Sequence, residues 1–462
     1  MAIFTSVLRL IPVVAVALAA CADNEARRSP LEPNAPSLSH AVSKGEAELV
    51  RSMAAGRGIV PLLPTPFVRP ALAHLGQALV FDKILSGNRD ISCSTCHLPL
   101  LATGDGKSLS VGQGGFGLGS GRSHPANAFI PRNAPPLFNL AAMKHLFWDG
   151  RVQADGSGRI STPAGSHITP EMAAAFEFGP ISALGLFPVT NRAEMRADGG
   201  NELAQVPDEN FTEIWRRVML RLGEIQEYRS LFRAAYPLMR FEDLTFAHAS
   251  NAMAAFFVKE LTFTGAPWDR FLNGNDRALS NDQLEGAKMF LTLKCSVCHN
   301  GSTFSDEQFH NVAVAQVGPG QGNGPSRRDD FGRMNVSGQA SDRYRFRTTP
   351  LRNVELTGPF GHDGAIFTLE GFIEHYSESD VKLHTFDPSP LDPALRGTLL
   401  PNANAILAQR DTLLNGVVFG KDIVSKLMAF MTALTDPAAR DLSDIAPRRV
   451  PSRLPVDGAS HR

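Results

Sequence analysis

A mainly α-helical chain built from two similar units is predicted here, and three observations carry the prediction. Amphipathic helical spacing recurs along the sequence, while period-two strand patterns are scarce. The pattern Cys-x-x-Cys-His occurs twice, as Cys93-Ser94-Thr95-Cys96-His97 and Cys295-Ser296-Val297-Cys298-His299. Each copy follows a predicted helix that contains a glycine. Such spacing is the attachment pattern of c-type haem, in which two thioethers tether the porphyrin and the adjacent imidazole is held where it can reach the iron. The competing reading of paired cysteines is a zinc site or a disulfide. Zinc wants a second Cys or His pair at ligand spacing near each motif, and neither motif has one.

The first unit opens with Pro70 and a helix that puts Leu72, Leu75 and Leu79 on one face, with Gly76 inside it. In the second unit Ser280 and Gln283 suit a capping box, and Leu284, Ala287 and Phe290 line one face around Gly286. A helix with a glycine for close packing, followed by a haem loop, is the start of a cytochrome c-like domain. The expected architecture is therefore two cytochrome c-like domains, each with one covalently bound c-type haem. A closing helix of the second unit carries Ile423, Leu427, Met431 and Leu434 at helical spacing. Thr169-Pro170-Glu171 reads as an N-cap with Pro at the first helical position. Residues 210–235 and 242–262 read as amphipathic helices. The turn-rich stretch Asn273-Gly274-Asn275-Asp276 marks the expected boundary, which gives domains at 65–272 and 273–440 and a tail at 441–462. Gly-rich loops at 112–123 and 318–324 are expected to be mobile.

The N-terminus reads as an export signal. After Met1 and Arg9 an apolar run from Leu10 to Ala20 leads into Leu18-Ala19-Ala20-Cys21. That run is too short to span a membrane as a helix. A short apolar region ending in small residues and a cysteine looks like a bacterial lipoprotein signal, with residues 1–20 removed and Cys21 lipidated; an ordinary signal peptide cleaved nearby is the alternative. Either sends the chain out of the cytoplasm, where bacterial c-haem attachment takes place. A lipidated Cys21 would make the protein periplasmic and membrane-anchored, and Ala22, by resemblance to other lipoproteins, favours the outer membrane. Residues 21–64, rich in Pro, Ala and Ser, are expected to be a tether. The formal net charge of −1 suggests no nucleic-acid partner, and 462 residues suffice for two or three domains with real cores.

Several short stretches then become meaningful together. Leu75-Gly76, Phe81-Asp82 and Leu85-Ser86-Gly87-Asn88 precede the first haem motif, and Arg132-Asn133-Ala134-Pro135 and Phe147-Trp148-Asp149-Gly150-Arg151 follow it. The second half supplies Pro350-Leu351-Arg352-Asn353 and Leu356-Thr357-Gly358-Pro359-Phe360-Gly361-His362-Asp363-Gly364. In this order and spacing, over about residues 66–435, the chain resembles the bacterial di-haem cytochrome c peroxidase and MauG superfamily.

The resemblance implies a set of roles. His97 would be the proximal ligand of the peroxide-reactive iron, and His299 would hold the haem that accepts or stores electrons. A Glu in a Gly-Pro…Glu-Met context shuttles the proton in such enzymes. Gly179-Pro180 followed by Glu194-Met195 makes Glu194 the candidate, with an insertion between them, although a solvated surface Glu is the plain alternative. Where the family has a Gln four residues before that Pro, this chain has Phe176. Trp148 matches the tryptophan between the haems, and a core aromatic is its plain alternative. His124 is the nearest candidate for a distal histidine, though one position off the family spacing. Fourteen residues after His362 comes Tyr376, where peroxidases place a Met ligand and MauG a Tyr; His375 is the adjacent alternative. A calcium ion between the domains would be held by Asn133, Thr357 and Pro359. The implied activity is reduction of hydrogen peroxide with electrons from a small cytochrome c or cupredoxin. A MauG-like enzyme that uses peroxide to oxidise a residue of a partner protein is the second reading, and a di-haem electron carrier the third. Dimers are common in the family.

Overall fold

The computed structural model describes residues 43–458. The expected signal peptide, Cys21 and Ala22 lie outside the described residues. Among the described residues the chain is mainly helical, and no helix is long and apolar enough to cross a membrane. Eight of its helices have eight or more residues: α1 Lys44–Gly56, α2 Pro70–Phe81, α3 Phe211–Gly223, α4 Gln226–Ala235, α5 Phe246–Glu260, α6 Asn281–Thr292, α7 Leu369–Ser377 and α8 Lys421–Ala433. Strands are short. β1 His145–Leu146, β2 Val152–Ala154 and β3 Ile160–Ser161 form an antiparallel meander, and β4 Phe309–His310 pairs antiparallel with β5 Phe346–Arg347, Phe309 opposite Arg347.

Two helix crossings organise the molecule, and each depends on a glycine. A Cβ on Gly76 of α2 would lie 1.8 Å from the backbone oxygen of Ala252 in α5, and one on Gly286 of α6 would lie 1.9 Å from that of Lys426 in α8. Only a residue without a side chain lets two backbones approach this closely. Four residues beyond each contacted carbonyl stands a phenylalanine, Phe256 or Phe430, against the same glycine. The internal repeat is thus a repeat of packing as well as of motif. The expected capping box starts α6: the Ser280 hydroxyl accepts from Gln283 N at 3.2 Å and the Gln283 side chain accepts from Ser280 N at 2.9 Å.

Around the first crossing lies an apolar core with Leu72, Leu75, Leu79, Trp215, Phe232 and Phe256; around the second lies one with Leu284, Phe290, Phe304, Leu427 and Phe430. The segment 242–262, expected to be amphipathic, is buried all round from Phe246 to Val258, because α5 is covered by α2 on one side and by neighbouring segments on the others. Trp268 and Phe271, placed by the sequence in the first domain, belong to the second core. The indole stacks on Phe271 at 5.4 Å and meets Phe430 edge-on at 5.1 Å.

Both ends of the described chain cross to the opposite core. Residues 44–56, expected within the tether, form α1. It buries Ala47, Val50 and Ala54 in the second core and ties Glu46 to Lys288 at 2.7 Å, since its apolar positions fall on one helical face. The carbonyl of Arg57 accepts from Gly301 N, just past the second Cys-x-x-Cys-His. The expected tail returns to the first core. Val450 is buried there, and Asp457 pairs with Lys83 at 2.7 Å and accepts from the Thr95 hydroxyl at 2.6 Å, inside the first Cys-x-x-Cys-His. The Gly-rich loops carry contacts of their own. Arg122 donates to the carbonyls of Val111, Gly112 and Gly117, and Gly320 sits directly against the Arg328 carbonyl.

Candidate haem sites and the wall between them

Each Cys-x-x-Cys segment is a single helical turn, Cys93–Cys96 and Cys295–Cys298, at the wall of a cavity. The histidine after it is oriented the same way in both. His97 Nδ1 is 2.9 Å from the Thr103 carbonyl, and His299 Nδ1 is 3.0 Å from that of Phe304. Thr103 and Phe304 both have positive φ, 64° and 59°, which turns these carbonyls back toward the imidazoles. With Nδ1 donating its proton to a carbonyl, Nε2 keeps its lone pair for a metal. Burial lowers the pKa of both histidines, which favours the neutral, ligating form.

The cysteines fit haem better than zinc. All four are free thiols, and burial pushes Cys93 and Cys295 up to about 12, against the thiolate that zinc requires. One cluster of three metal-binding side chains occurs among the described residues: Cys298, Asp306 and His310. Both ring nitrogens of His310 are already engaged, Nδ1 with Asp411 at 2.6 Å and Nε2 with Asp306 at 3.0 Å. Two free cysteines and one imidazole lone pair at each cavity are what a c-type haem takes.

Glu194 faces the first cavity. It sits on a π-helical turn, Arg192–Arg196, whose N-cap Asn191 accepts from Ala193 N at 2.9 Å and Glu194 N at 3.2 Å. The Asn191 amide also donates to Glu194 Oε1 at 3.0 Å. Burial raises the Glu194 pKa against the lowering pull of Arg151 and Arg132, so the carboxyl is inclined to hold a proton. It is no solvated surface Glu.

The proline on this wall differs from the expected one. Pro180 is not on the cavity wall; Pro188, six residues before Glu194, is. The residue four before Pro188 is Leu184, which also lines the cavity, whereas Phe176 does not. Gly179 before Pro180 matches the Gly-Pro pattern whereas Phe187 precedes Pro188, so the motif pointed to the proline that the wall does not use. Phe176 packs against the first apolar core. His124 also stays out. Its Nδ1 accepts from Ala126 N and Ala128 N at 3.1 and 3.4 Å within its own loop, and His97 is the one histidine among the described residues lining the first cavity.

Trp148 lines both cavities, 8 % exposed, with its indole N–H donating to the Asn133 carbonyl at 2.9 Å. Tyr376 on α7 reaches the second cavity beside His299. His375 does not, because its Nε2 is engaged at 2.8 Å with the Val312 carbonyl. Asn133, Thr357 and Pro359 share the wall of the second cavity. The Asn133 amide donates to the carbonyls of Lys107 and Ser108, and the Thr357 hydroxyl to that of Val354; the set includes no carboxylate.

Sequence reasoning overlooked the arginines on these walls. Arg132, next to Asn133, makes a two-pronged ion pair with Asp330 at 2.6 and 2.9 Å and a third contact with Asp149 at 2.6 Å. Its place in the quoted Arg-Asn-Ala-Pro stretch was the available signal. Arg347 lies on the wall common to both cavities.

Comparisons with known proteins agree with this geometry. A family profile described as di-haem cytochrome c peroxidase matches residues 70–277. The cytochrome c551 peroxidase of Pseudomonas aeruginosa is 30% identical over 300 residues, covering 64% of this chain and 69% of that protein. The methylamine utilization protein MauG of Methylorubrum extorquens is 29% identical over 314 residues, covering 68% and 70%. A solved MauG-like protein associated with microbial copper homeostasis shares the fold, with a TM-score of 0.56 at 24% identity over 82% of this chain and 94% of that one. Two c-haem cavities on a mainly helical double-unit scaffold define a di-haem oxidoreductase of the peroxidase type. The chain belongs to the di-haem cytochrome c peroxidase and MauG family.

Proposed function

We propose that the protein reduces hydrogen peroxide to two waters at the His97 site, taking two electrons and two protons per turnover, with electrons passing through the His299 site. A haem bound at each site supplies the redox chemistry. The observation that carries the reading is the first cavity itself, which holds a buried carboxyl and no second histidine among its described residues. Glu194 takes a proton from one peroxide oxygen and returns it to the other, which its raised pKa suits. Arg151 and Arg132 place positive charge near that carboxyl. Leu184, Pro188 and Met195 contribute apolar wall to the same cavity. Trp148, on the wall of both cavities, couples the two sites.

At the second site Tyr376 would be the residue that holds the iron together with His299. Its placement there, with His375 turned to a carbonyl, favours a second reading in which peroxide oxidises a side chain of a partner protein, as in MauG-like chemistry. An oxygen ligand favours the oxidised metal more than a thioether does. Calcium at Asn133, Thr357 and Pro359 would rest on neutral oxygens alone. Lipidation at Cys21 would hold the enzyme at a periplasmic membrane face, where a small cytochrome or cupredoxin donates electrons.

Peroxide turnover with a reduced small cytochrome decides between the readings. Stoichiometric donor oxidation supports the peroxidase. Slow donor oxidation, with new covalent modification of a partner protein, supports the second reading. No reaction with both haems intact, in either starting redox state, defeats both.

A further inference from the structure

Among the described residues most buried cations are paired. Arg132 has Asp330 and Asp149, and Arg352 has Asp269 at 2.7 Å. Arg122 has no acid within ion-pair distance among the described residues, but each of its three nitrogens donates to a backbone carbonyl. Arg347 is different. It is 6 % exposed, and no carboxylate lies within ion-pair distance of it among the described residues. Its Nε donates to the Phe147 carbonyl at 3.2 Å, and Nη1 makes a long contact of 3.4 Å with the Thr348 carbonyl. Burial lowers its pKa to about 10, with only Glu307 pulling the other way.

A buried guanidinium without an anion is costly, and the cost usually means that a partner is missing. The position of Arg347 says which. β5 holds it beside Trp148, whose carbonyl accepts from Arg347 N at 2.9 Å, and its side chain lines both cavities. Each haem carries two propionate carboxylates, so the cavities that Arg347 faces are where anions arrive when the cofactors bind. Guanidinium is the side chain best shaped to bind carboxylates.

We propose that Arg347 is a shared counter-cation for propionate carboxylates of both haems, so that one fixed charge sets the potential of two redox centres. This rests on the two haem sites and not on peroxide as substrate, and it is tested without peroxide. A positive charge beside a haem disfavours the ferric state, so its removal lowers the midpoint potential.

The test compares full-length holoprotein with Arg347→Gln and Arg347→Lys by spectroelectrochemical titration, resolving the two haems. The glutamine variant should lower both potentials, and the lysine variant should hold both near the parent values. A shift at one haem or at neither overturns the proposal. So does a lysine variant that falls as far as glutamine, which would mark a packing role. Parent potentials that change when chloride is exchanged for phosphate would assign the charge to a free anion instead, and would overturn it too. If the glutamine variant does not fold, resonance Raman of the lysine variant still decides. The propionate bending bands of both haems should move, and unmoved bands refute the assignment.

Discussion

Replacing Gly286 with alanine should destabilise the protein, although alanine is the better helix former. An added Cβ would stand 1.9 Å from the Lys426 oxygen, 2.8 Å from its carbonyl carbon and 2.9 Å from Phe430 Cβ. Ordinary C···O contact is about 3.3 Å, so α6 and α8 must separate by roughly an ångström. A gap of that size forfeits about a quarter to a half of the dispersion attraction across the crossing. Overpacking of this kind costs about 1–3 kcal/mol, and the upper end applies because the atom struck is backbone. Helix propensity returns about 1 kcal/mol. The net is a loss of about 2 kcal/mol, or about 4–8 °C in melting temperature for a unit of 150–250 residues. Gly56→Ala is the matched control, since a Cβ there meets nothing within 4 Å and needs no unusual φ. That variant should be neutral or stabilised by up to about 1 kcal/mol. Thermal melts followed by far-ultraviolet dichroism and by the Soret band suit the comparison, because α6 leads directly into Cys295. A Gly286→Ala variant as stable as the parent, or a Gly56→Ala variant losing as much, would refute the close-crossing argument.

Three further outcomes follow from the sites. Glu194→Gln should slow the reaction with peroxide by about 10²–10⁴-fold in stopped flow. Since burial raises the Glu194 pKa and the base works only when ionised, the parent rate should climb with pH above the ordinary carboxylate value of about 4.3, and the variant should lose that limb; a retained limb would acquit Glu194. Tyr376→Met should raise the potential of the second haem, and an unchanged potential would mean the phenol is not a ligand. Asp457→Ala removes the partner of Lys83 and Thr95 and should cost about 2 kcal/mol, with faster tryptic cleavage at Arg453; unaltered protection would show that the C-terminal arm is held by other contacts.

The haem sites were legible in the chain because their chemistry is local. Two cysteines and a histidine within five residues are brought together by one helical turn, whatever the rest of the protein does. Gly76 and Gly286, with their flanking leucines and phenylalanines, were readable for a similar reason, since helical periodicity is short-range. Glu194, Trp148 and Tyr376 were found through motif resemblance, and the fold then put each on a cavity wall.

Other features depended on which distant segments meet. Gly179-Pro180 fits the Gly-Pro pattern better than Phe187-Pro188, and only the path of the chain before the π-turn puts Pro188 on the same cavity wall as Glu194. Residues 44–56 and 450–457 read as tether and tail because few of their partners are nearby in sequence; Glu46 meets Lys288, and Asp457 meets Thr95. Arg347 is one arginine among many until the wall around it shows that no acid reaches it. Covalent spacing and helical period are properties of neighbouring residues, so the sequence alone determines them. Whether a charge is paired is a property of the space around it, and only the folded chain defines that space.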